Sequence, residues 1–350
     1  MKTKRFISAL MSLIMLVMCI VPASAADVSK IDDYKAKFKA ANGPEVNGIV
    51  TDYMYFSPKT AAKKKYPLVI YFHGMGQGSE PGAQIQDNNI ALWASGELQS
   101  RFTNGGAFIF VPRTHEEKGE YWENNSIPSV KAAIDEFIKK NKTYIDLTRI
   151  YVGGFSMGGK MTLKMATSYP DFFAAAFPMC PAYTPSDEQL EAIADMPVWL
   201  IVSRFDVIAG YYTNSKDIWE RFCKTTNIPK ECRLSLLGRV CYPDGKKTAS
   251  NHHVWFAASN DLFMYDGSNY VNMVTTDANG DSVQLKYPNG LIKWLCSHRS
   301  SYNGKALEST GLCEKNREST GMMVLNILKT IPLMFADTVK SLFNRIFSAR

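Results

Sequence analysis

The amino-acid sequence predicts an α/β fold, in which a mostly parallel central sheet carries helices on both faces. Continuous apolar runs of strand length, typical of strands buried on both faces, alternate with segments whose apolar residues recur at helical spacing. Because parallel strands end at one edge of a sheet, and open sheets of this kind bind ligands there, we expect functional residues directly after the strands. The apolar runs are residues 68–72, 107–111, 150–152 and 198–202, and the helical segments are residues 129–141, 159–168 and 215–224.

The N-terminal 25 residues have the three parts of a secretory signal peptide. A basic start is followed by an apolar run over residues 6–21 and by the small residues Ala23-Ser24-Ala25. The apolar run is shorter than the roughly 20 residues that span a bilayer, which favours a cleaved signal over a membrane anchor. We therefore expect cleavage before Ala26 and secretion of the rest of the chain.

The composition excludes several classes of protein. Of 350 residues, 46% are hydrophobic, 12% aromatic and 21% charged, unlike a disordered chain. The formal charge of +7 includes Lys2, Lys4 and Arg5, and the excess of four cations that remains is too small to indicate a nucleic-acid binder. We divide the chain into the signal peptide at residues 1–25, an N-terminal helical segment at 26–44, one α/β domain at 45–300, which opens on an exposed antiparallel strand, and a C-terminal tail at 314–350.

Six cysteines follow the signal peptide, and an oxidising compartment permits disulfides between them. The sequence does not choose among the possible pairings, but Cys223 with Cys232 and Cys296 with Cys313 would close the shortest loops. The absence of a Cys-x-x-Cys pair argues against a zinc cluster or a thioredoxin-like site. Buried free thiols are the alternative.

The segment Gly154-Phe155-Ser156-Met157-Gly158 fits G-x-S-x-G, and it stands between a predicted strand and a predicted helix. Glycines without a Cβ atom permit a sharp strand-to-helix turn that exposes the serine hydroxyl. Ser156 is therefore the candidate nucleophile. The same pattern also arises by chance, so it needs a base and an acid elsewhere in the chain.

Candidates for the base and the acid follow in the order Ser, Asp, His that α/β-hydrolases show. Asp206 lies in the first turn after the strand at residues 198–202, and the adjacent His252 and His253 follow a further predicted strand at residues 234–240. Neighbouring side chains point in different directions, so only one of these two histidines can serve Ser156. Of the other histidines, we expect His115 to be a solvated loop residue and His298 to lie at an exposed helix end.

Acyl transfer also needs backbone amides that hydrogen-bond the oxyanion of the tetrahedral intermediate. The sequence offers the amide of Met157, directly after Ser156, and the amide of Met75 in His73-Gly74-Met75-Gly76, directly after the strand at residues 68–72. The glycines of this loop match neither a Walker loop nor G-x-G-x-x-G, which disfavours nucleotide binding.

Residues 68–76, 146–159 and 169–175 resemble the secreted α/β-hydrolase esterases related to polyhydroxybutyrate depolymerases, feruloyl esterases and prolyl-oligopeptidase-like esterases. The similarity covers roughly residues 45–300 and implies an α/β-hydrolase fold. Such enzymes often carry His-x-x-Trp near the end of the domain, and His252-His253-Val254-Trp255 fits that pattern only with His252 as the base. The resemblance thus implies a triad of Ser156, Asp206 and His252.

The implied activity is the hydrolysis of a small-molecule or polymer-linked carboxylic ester through an acyl-enzyme, with no cofactor and no metal. Two alternatives remain open from the sequence. A serine peptidase of the prolyl-oligopeptidase-like type would use the same triad. A non-catalytic protein that binds a surface or polysaccharide would retain the fold without the chemistry.

The chain departs from these relatives after Trp255, where about 35 residues precede the terminal helix. Residues 270–274 and 282–287 flank an Asn279-Gly280 turn, which predicts an inserted β-hairpin that overhangs the cleft. A calcium-binding loop is disfavoured, because Ser282 stands where the EF-hand glycine belongs and Pro288 where its glutamate belongs.

Two tryptophans and the C-terminal tail complete the sequence-based predictions. Trp122 and Trp255 could offer flat apolar surfaces to an acyl or sugar group, with ordinary packing as the alternative. Residues 322–350 resemble an amphipathic basic helix that is broken near Pro332. Such a helix fits either peripheral contact with an anionic membrane or docking against the α/β domain.

Overall fold

A computed structural model describes residues 26–225, 228–240, 250–261, 273–286 and 289–315. The predicted signal peptide, Cys241 and the amphipathic tail from residue 322 lie outside these residues. Within the described parts, nine strands form one sheet in the order β1-β2-β4-β3-β5-β6-β7-β8-β9. The strands are β1 (Lys39–Val46), β2 (Ile49–Phe56), β3 (Tyr66–Phe72), β4 (Phe108–Pro112), β5 (Ile145–Phe155), β6 (Ala175–Met179), β7 (Trp199–Ser203), β8 (Arg233–Leu237) and β9 (Met273–Asp277).

The central strands are parallel, as the apolar runs predict, and the edges of the sheet are antiparallel. Strands β4, β3, β5, β6, β7 and β8 pair in parallel, whereas β1 with β2, β2 with β4 and β8 with β9 pair antiparallel. The helices are α1 (Ile31–Lys35), α2 (Gly96–Gln99), α3 (Ser126–Lys140), α4 (Met157–Ser168), α5 (Asp187–Ala192), α6 (Lys216–Phe222), α7 (Val254–Ser259), α8 (Leu291–Ser297) and α9 (Leu312–Lys315). Short 3-10 turns occupy Val28–Lys30, Ala83–Ile85, Ile90–Ala94, Thr103–Gly105 and Glu116–Lys118, and Tyr211–Ser215 is a π turn.

The sheet separates two apolar cores, which explains why its central strands read as continuous apolar runs. Every residue of β3 is buried. Leu68, Ile70 and Phe72 face the core that contains α3 and α4, and Val69 and Tyr71 face the core that contains α7 and α8. Helices therefore cover both faces of the sheet, and the predicted α/β class is confirmed. Among the described residues, no helix is both long enough and apolar enough to cross a bilayer.

Two predictions near the ends of the domain are corrected, namely the extent of the N-terminal helical segment and the position of the inserted hairpin. The segment 26–44 is helical only at its start, because residues from Lys39 onward form β1, which pairs with β2. The predicted hairpin begins with β9, and its return is a single bridge between Thr276 and Ser282. Since Asp277 pairs with Arg233 at the first residue of β8, the hairpin turn lies at the amino edge of the parallel strands. It therefore lies at the edge opposite to the predicted cleft.

The five described cysteines are free, so neither predicted local disulfide is formed. Cys296 packs against one of the two cores and Cys313 lies in the other, so the sheet separates this pair. The Cys232 thiol is hydrogen-bonded within the core, where it accepts from the Val198 amide at 3.3 Å. Buried free thiols, the alternative from the sequence, describe Cys180, Cys232 and Cys313, whereas Cys223 and Cys296 are free and half-buried.

Candidate active site

Ser156 is the single residue between the end of β5 and the start of α4, and its backbone conformation is strained. Its φ of 55° and ψ of −118° are unfavourable for a residue with a Cβ atom. Neighbouring elements hold this conformation, because the Ser156 amide donates to the Met179 carbonyl at 3.0 Å and its carbonyl accepts from the Ala182 amide at 3.1 Å. The turn therefore presents the side chain at the carboxyl edge of the sheet, as the motif predicts.

The glycines of the motif permit this turn because they let its backbone lie close to the backbones of the neighbouring strands. A Cβ atom at Gly154 or Gly158 would lie within 3 Å of the Phe72 carbonyl at the end of β3, and one at Gly159 would lie 2.7 Å from the Met179 carbonyl. The first turn of α4 consequently packs directly against the strand ends. This contact brings Ser156 beside the loop that follows β3.

Asp206 and His252 form a buried pair at the same edge. The Asp206 Oδ1 atom accepts from the Ile208 and Ala209 amides at 2.8 and 3.1 Å, and its Oδ2 atom accepts from His252 Nδ1 at 2.7 Å. The side chains of Asp206 and His252 are only 2% and 7% exposed. His252 Nε2 is buried and has no hydrogen-bond partner, so this nitrogen is available to accept a proton.

The structure places His252, and not His253, against Asp206. The ring of His253 is half-buried and stacks on Phe256, with centroids 5.7 Å apart and planes at 8°. The rings of the two histidines are almost perpendicular, at 76°. The hydrogen bond between Ser156 and His252 Nε2 is not formed in this structure; catalytic hydrogen bonds are often long without substrate and tighten when it binds.

Cys180, which follows β6, connects the nucleophile turn to the histidine. Its thiol donates to the His252 carbonyl at 3.3 Å, and its sulfur also lies against the Ser156 backbone amide. Cys180 has a positive φ of 36°, which is strained for a cysteine, and Asn251, directly before His252, has a φ of 53°, which asparagine tolerates. Cys180 is one of the six cysteines that the sequence offers for disulfides, and its place directly after β6, a strand that the apolar runs did not predict, marks it as a site residue.

Within the described chain, Cys180, Asp206 and His252 are the one group of at least three His, Cys, Asp or Glu donors close enough to ligate a metal, with donor atoms within 4.8 Å of one another. The Asp206 and His252 atoms of this group already hydrogen-bond to each other. This arrangement fits a proton relay, in which the carboxylate holds the imidazole.

The environment raises the pKa of His252 well above its ordinary value. Burial alone would lower this pKa, but the Asp206 carboxylate and its hydrogen bond to Nδ1 favour the protonated ring. Burial raises the pKa of the Cys180 thiol, so the neutral thiol adds no negative charge near pH 7. The pair is thus built to stabilise an imidazolium ion.

The loop after β3 presents the Met75 amide. The carbonyl of the preceding residue, Gly74, accepts from His73 Nδ1 at 2.7 Å, and His73 Nε2 accepts from the Thr114 amide at 3.2 Å. Burial lowers the pKa of His73 to about 4, which keeps the ring neutral in this tautomer. Because a trans peptide directs its N–H opposite to its C=O, fixing the Gly74 carbonyl also fixes the direction of the Met75 N–H.

The Met157 amide lies in the first turn of α4, where N–H groups have no acceptor within the helix. A Cβ atom at Gly158 would overlap the Phe72 carbonyl, so this turn and the loop after β3 are in direct contact. The Met75 and Met157 amides therefore belong to adjoining segments beside Ser156, as an oxyanion site requires.

Both tryptophans pack inside the protein, which corrects the prediction that they contact substrate. Trp122 is 1% exposed and donates from Nε1 to the His73 carbonyl at 3.1 Å. Trp255 is 5% exposed and stacks on Phe155, with ring centroids 3.9 Å apart. Trp122 therefore packs against the loop after β3, and Trp255 packs against the end of β5. In the loops that follow β3 and β4, the exposed large apolar side chains are Met75 and Tyr121.

Two histidines that were expected to be exposed are buried. His115 lies between two carboxylates, with Nε2 3.0 Å from Asp52 and Nδ1 3.0 Å from Glu120. His298 packs against Trp294, and burial lowers the pKa of His298 to about 4. His115 lines a cavity of about 510 Å³ whose lining does not include Ser156, Asp206 or His252.

Fold and site together define an α/β-hydrolase-fold protein with a serine, histidine and aspartate at the carboxyl edge of its sheet. The sequence profile of the Prolyl oligopeptidase family, peptidase S9, matches residues 113–192, which include Ser156. Dipeptidyl aminopeptidase A of Saccharomyces cerevisiae is 27% identical over 161 residues, which are 40% of this chain and 16% of that protein.

A solved structure shows the same fold, because a thermostable esterase superposes with a TM-score of 0.56 at 23% identity, covering 65% of this chain and 61% of that one. Est1E from Butyrivibrio proteoclasticus is more distant, with a TM-score of 0.41 at 16% identity, covering 57% of this chain and 88% of that one. The predicted α/β-hydrolase fold and the resemblance to prolyl-oligopeptidase-like and esterase proteins are confirmed. The chain spans less than two thirds of the length of the yeast relative and of the thermostable esterase.

Proposed function

We propose that this chain is a secreted serine hydrolase that cleaves carboxylic esters through an acyl-enzyme. The observation that carries this proposal is the strained Ser156 at the same sheet edge as the buried Asp206–His252 pair. Strained backbone and a buried carboxylate–imidazole pair are costly features that serine hydrolases use. Secretion rests on the three-part segment at residues 1–25.

In the proposed reaction, Ser156 Oγ attacks the ester carbonyl while His252 Nε2 accepts the hydroxyl proton. The Asp206 carboxylate stabilises the resulting imidazolium through Nδ1–H. The Met75 and Met157 amides hydrogen-bond the oxyanion of the tetrahedral intermediate. His252 returns its proton to the departing alcohol, and a water molecule then repeats the sequence and releases the acid.

The substrate class is proposed from similarity. The resemblance to secreted esterases and the name of the thermostable esterase favour a small-molecule or polymer-linked ester. A serine peptidase is the second candidate, because the chain is similar to dipeptidyl aminopeptidase A and to the prolyl oligopeptidase family. A peripheral membrane contact through the tail remains a proposal from the sequence.

Parallel assays of esters and amides test the proposed class. We expect turnover of nitrophenyl acetate, nitrophenyl butyrate or a feruloyl ester, and little turnover of peptide nitroanilides. Cleavage of the peptides without the esters would establish the peptidase instead. A fluorophosphonate labels only an activated serine, so failure to label Ser156 together with no turnover would favour a non-catalytic binding protein.

Ester hydrolysis is expected to require a higher pH than an ordinary histidine base would need. The protonated ring of His252 cannot accept the Ser156 proton, and its pKa is raised well above 6.5. Below that pKa, kcat/KM should fall about tenfold per pH unit, and above it kcat/KM should level off. Rates measured from pH 5 to 10 check this profile. An acid limb centred at or below pH 6.5 would contradict the assigned environment.

A further inference from the structure

Met75 lies between two peptide groups, and its φ and ψ angles set how they are oriented. The first is the Gly74–Met75 peptide, whose carbonyl is held by His73. The second is the Met75–Gly76 peptide, whose N–H belongs to Gly76. Gly76 has a φ of 88°, which glycine adopts without strain, so the chain turns directly after Met75.

The second peptide is held by Glu116, a residue of the loop between β4 and α3. The Gly76 amide donates to both Glu116 carboxylate oxygens, at 2.8 Å to Oε2 and 3.1 Å to Oε1. The Gly78 amide also donates to this carboxylate, and the Glu116 amide donates to the Gly78 carbonyl at 3.3 Å. Glu116 therefore clamps the loop by its side chain and by its backbone.

Further contacts from the same segment reinforce the clamp. Arg113 Nη1 donates to the Gly78 carbonyl at 2.9 Å, and Trp122 Nε1 donates to the His73 carbonyl. A Cβ atom at Gly78 would lie 2.9 Å from the Glu116 side chain, so this glycine permits the approach. Half-burial raises the pKa of Glu116, and the amides of Gly76 and Gly78 oppose that rise by hydrogen-bonding the ionised form.

We propose that Glu116 is a positioning residue, which holds the Met75–Gly76 peptide so that the neighbouring Met75 amide points at the oxyanion. This inference rests on the proposed function, because it assigns a role in the same reaction. A negative charge near an oxyanion would by itself disfavour the transition state. The two effects predict opposite results when the charge is removed, which makes the role testable.

The experiment compares Glu116→Gln and Glu116→Ala with Glu308→Gln in the full chain. Gln retains one acceptor oxygen and nearly the same shape, whereas Ala retains none. Glu308→Gln provides the matched control, because it makes the same change in charge at an exposed residue outside the clamp and the candidate site. The readouts are kcat and KM for nitrophenyl butyrate, and the Ki of an alkyl trifluoromethyl ketone, which forms an oxyanion at Ser156.

We expect kcat to fall roughly 10-fold in Glu116→Gln and roughly 100-fold in Glu116→Ala, with KM within about twofold of wild type. The Ki of the ketone should rise in parallel with the loss of kcat, and Glu308→Gln should match wild type. Unchanged or increased kcat in Glu116→Gln, or a fall in kcat without a rise in Ki, would overturn the positioning role. Failure of the proposed function would be distinct, since wild type itself would then neither hydrolyse the ester nor bind the ketone.

Discussion

Ser156→Ala is expected to lower kcat for nitrophenyl esters by about 10⁴- to 10⁶-fold, the largest effect of any single substitution. Alanine removes the attacking oxygen, so no acyl-enzyme can form, and only the amides of the oxyanion site and substrate binding would still accelerate attack by water. Initial rates at saturating ester, with intact-mass detection of a fluorophosphonate adduct, measure both consequences. The variant should show no adduct.

The control for this substitution is Ser100→Ala, which removes a serine hydroxyl from an exposed position outside the site. It should keep wild-type turnover and leave labelling intact. Alanine at position 156 would have the same positive φ as Ser156 and therefore the same backbone strain. The thermal unfolding temperature should thus differ little between wild type and Ser156→Ala. Retention of turnover within tenfold of wild type would remove Ser156 from the mechanism.

Asp206→Asn is expected to lower kcat by about 10⁴-fold with little change in KM. The Oδ1 atom of residue 206 must continue to accept from the amides of Ile208 and Ala209. This requirement directs the new amide NH₂ group at His252 Nδ1. Because Nδ1 must then accept a hydrogen bond from that group, the proton of the neutral imidazole moves to Nε2. An imidazole with its proton on Nε2 cannot take the proton of Ser156.

The pH profile and a neighbouring histidine provide the checks on this second prediction. Loss of the carboxylate charge should lower the pKa of His252 and move the acid limb of the residual activity to lower pH. His253→Gln, a change at the adjacent ring that stacks on Phe256, should keep kcat within about fivefold of wild type. If Asp206→Asn retained more than a tenth of wild-type kcat, or if His253→Gln lost as much as Asp206→Asn, the assignment of the pair would be wrong.

Local patterns in the sequence were sufficient for much of the fold. Strands β3, β4, β5 and β7 appear as apolar runs because both of their faces are buried. Helices α3 and α6 appear as helical periodicities because one face of each is buried, whereas α4 is buried on nearly all sides. The strained turn at Ser156 was also predictable, since the glycines that it needs are its sequence neighbours. These features depend on residues within a few positions of one another.

The partners of individual side chains depended on the order of the strands instead. Residue spacing left His252 and His253 open, and only the resemblance through His-x-x-Trp favoured His252, which the structure places against Asp206. Nothing near His115 in the sequence shows the carboxylate of Asp52 on β2. The sequence suggested that Trp122 and Trp255 are exposed surfaces for substrate. It could not show their burial, because the aromatic rings and carbonyls that cover them come from distant parts of the chain.

The sequence alone thus determined which segments become strands and helices and where the nucleophile turn lies, because backbone preference and burial pattern are local properties. The tertiary structure alone showed that His252 contacts Asp206, left the described thiols unpaired and decided which loop clamps the Met75–Gly76 peptide. Those outcomes depend on the order of the strands in the sheet. That order brings together residues that lie tens to more than a hundred positions apart in the sequence.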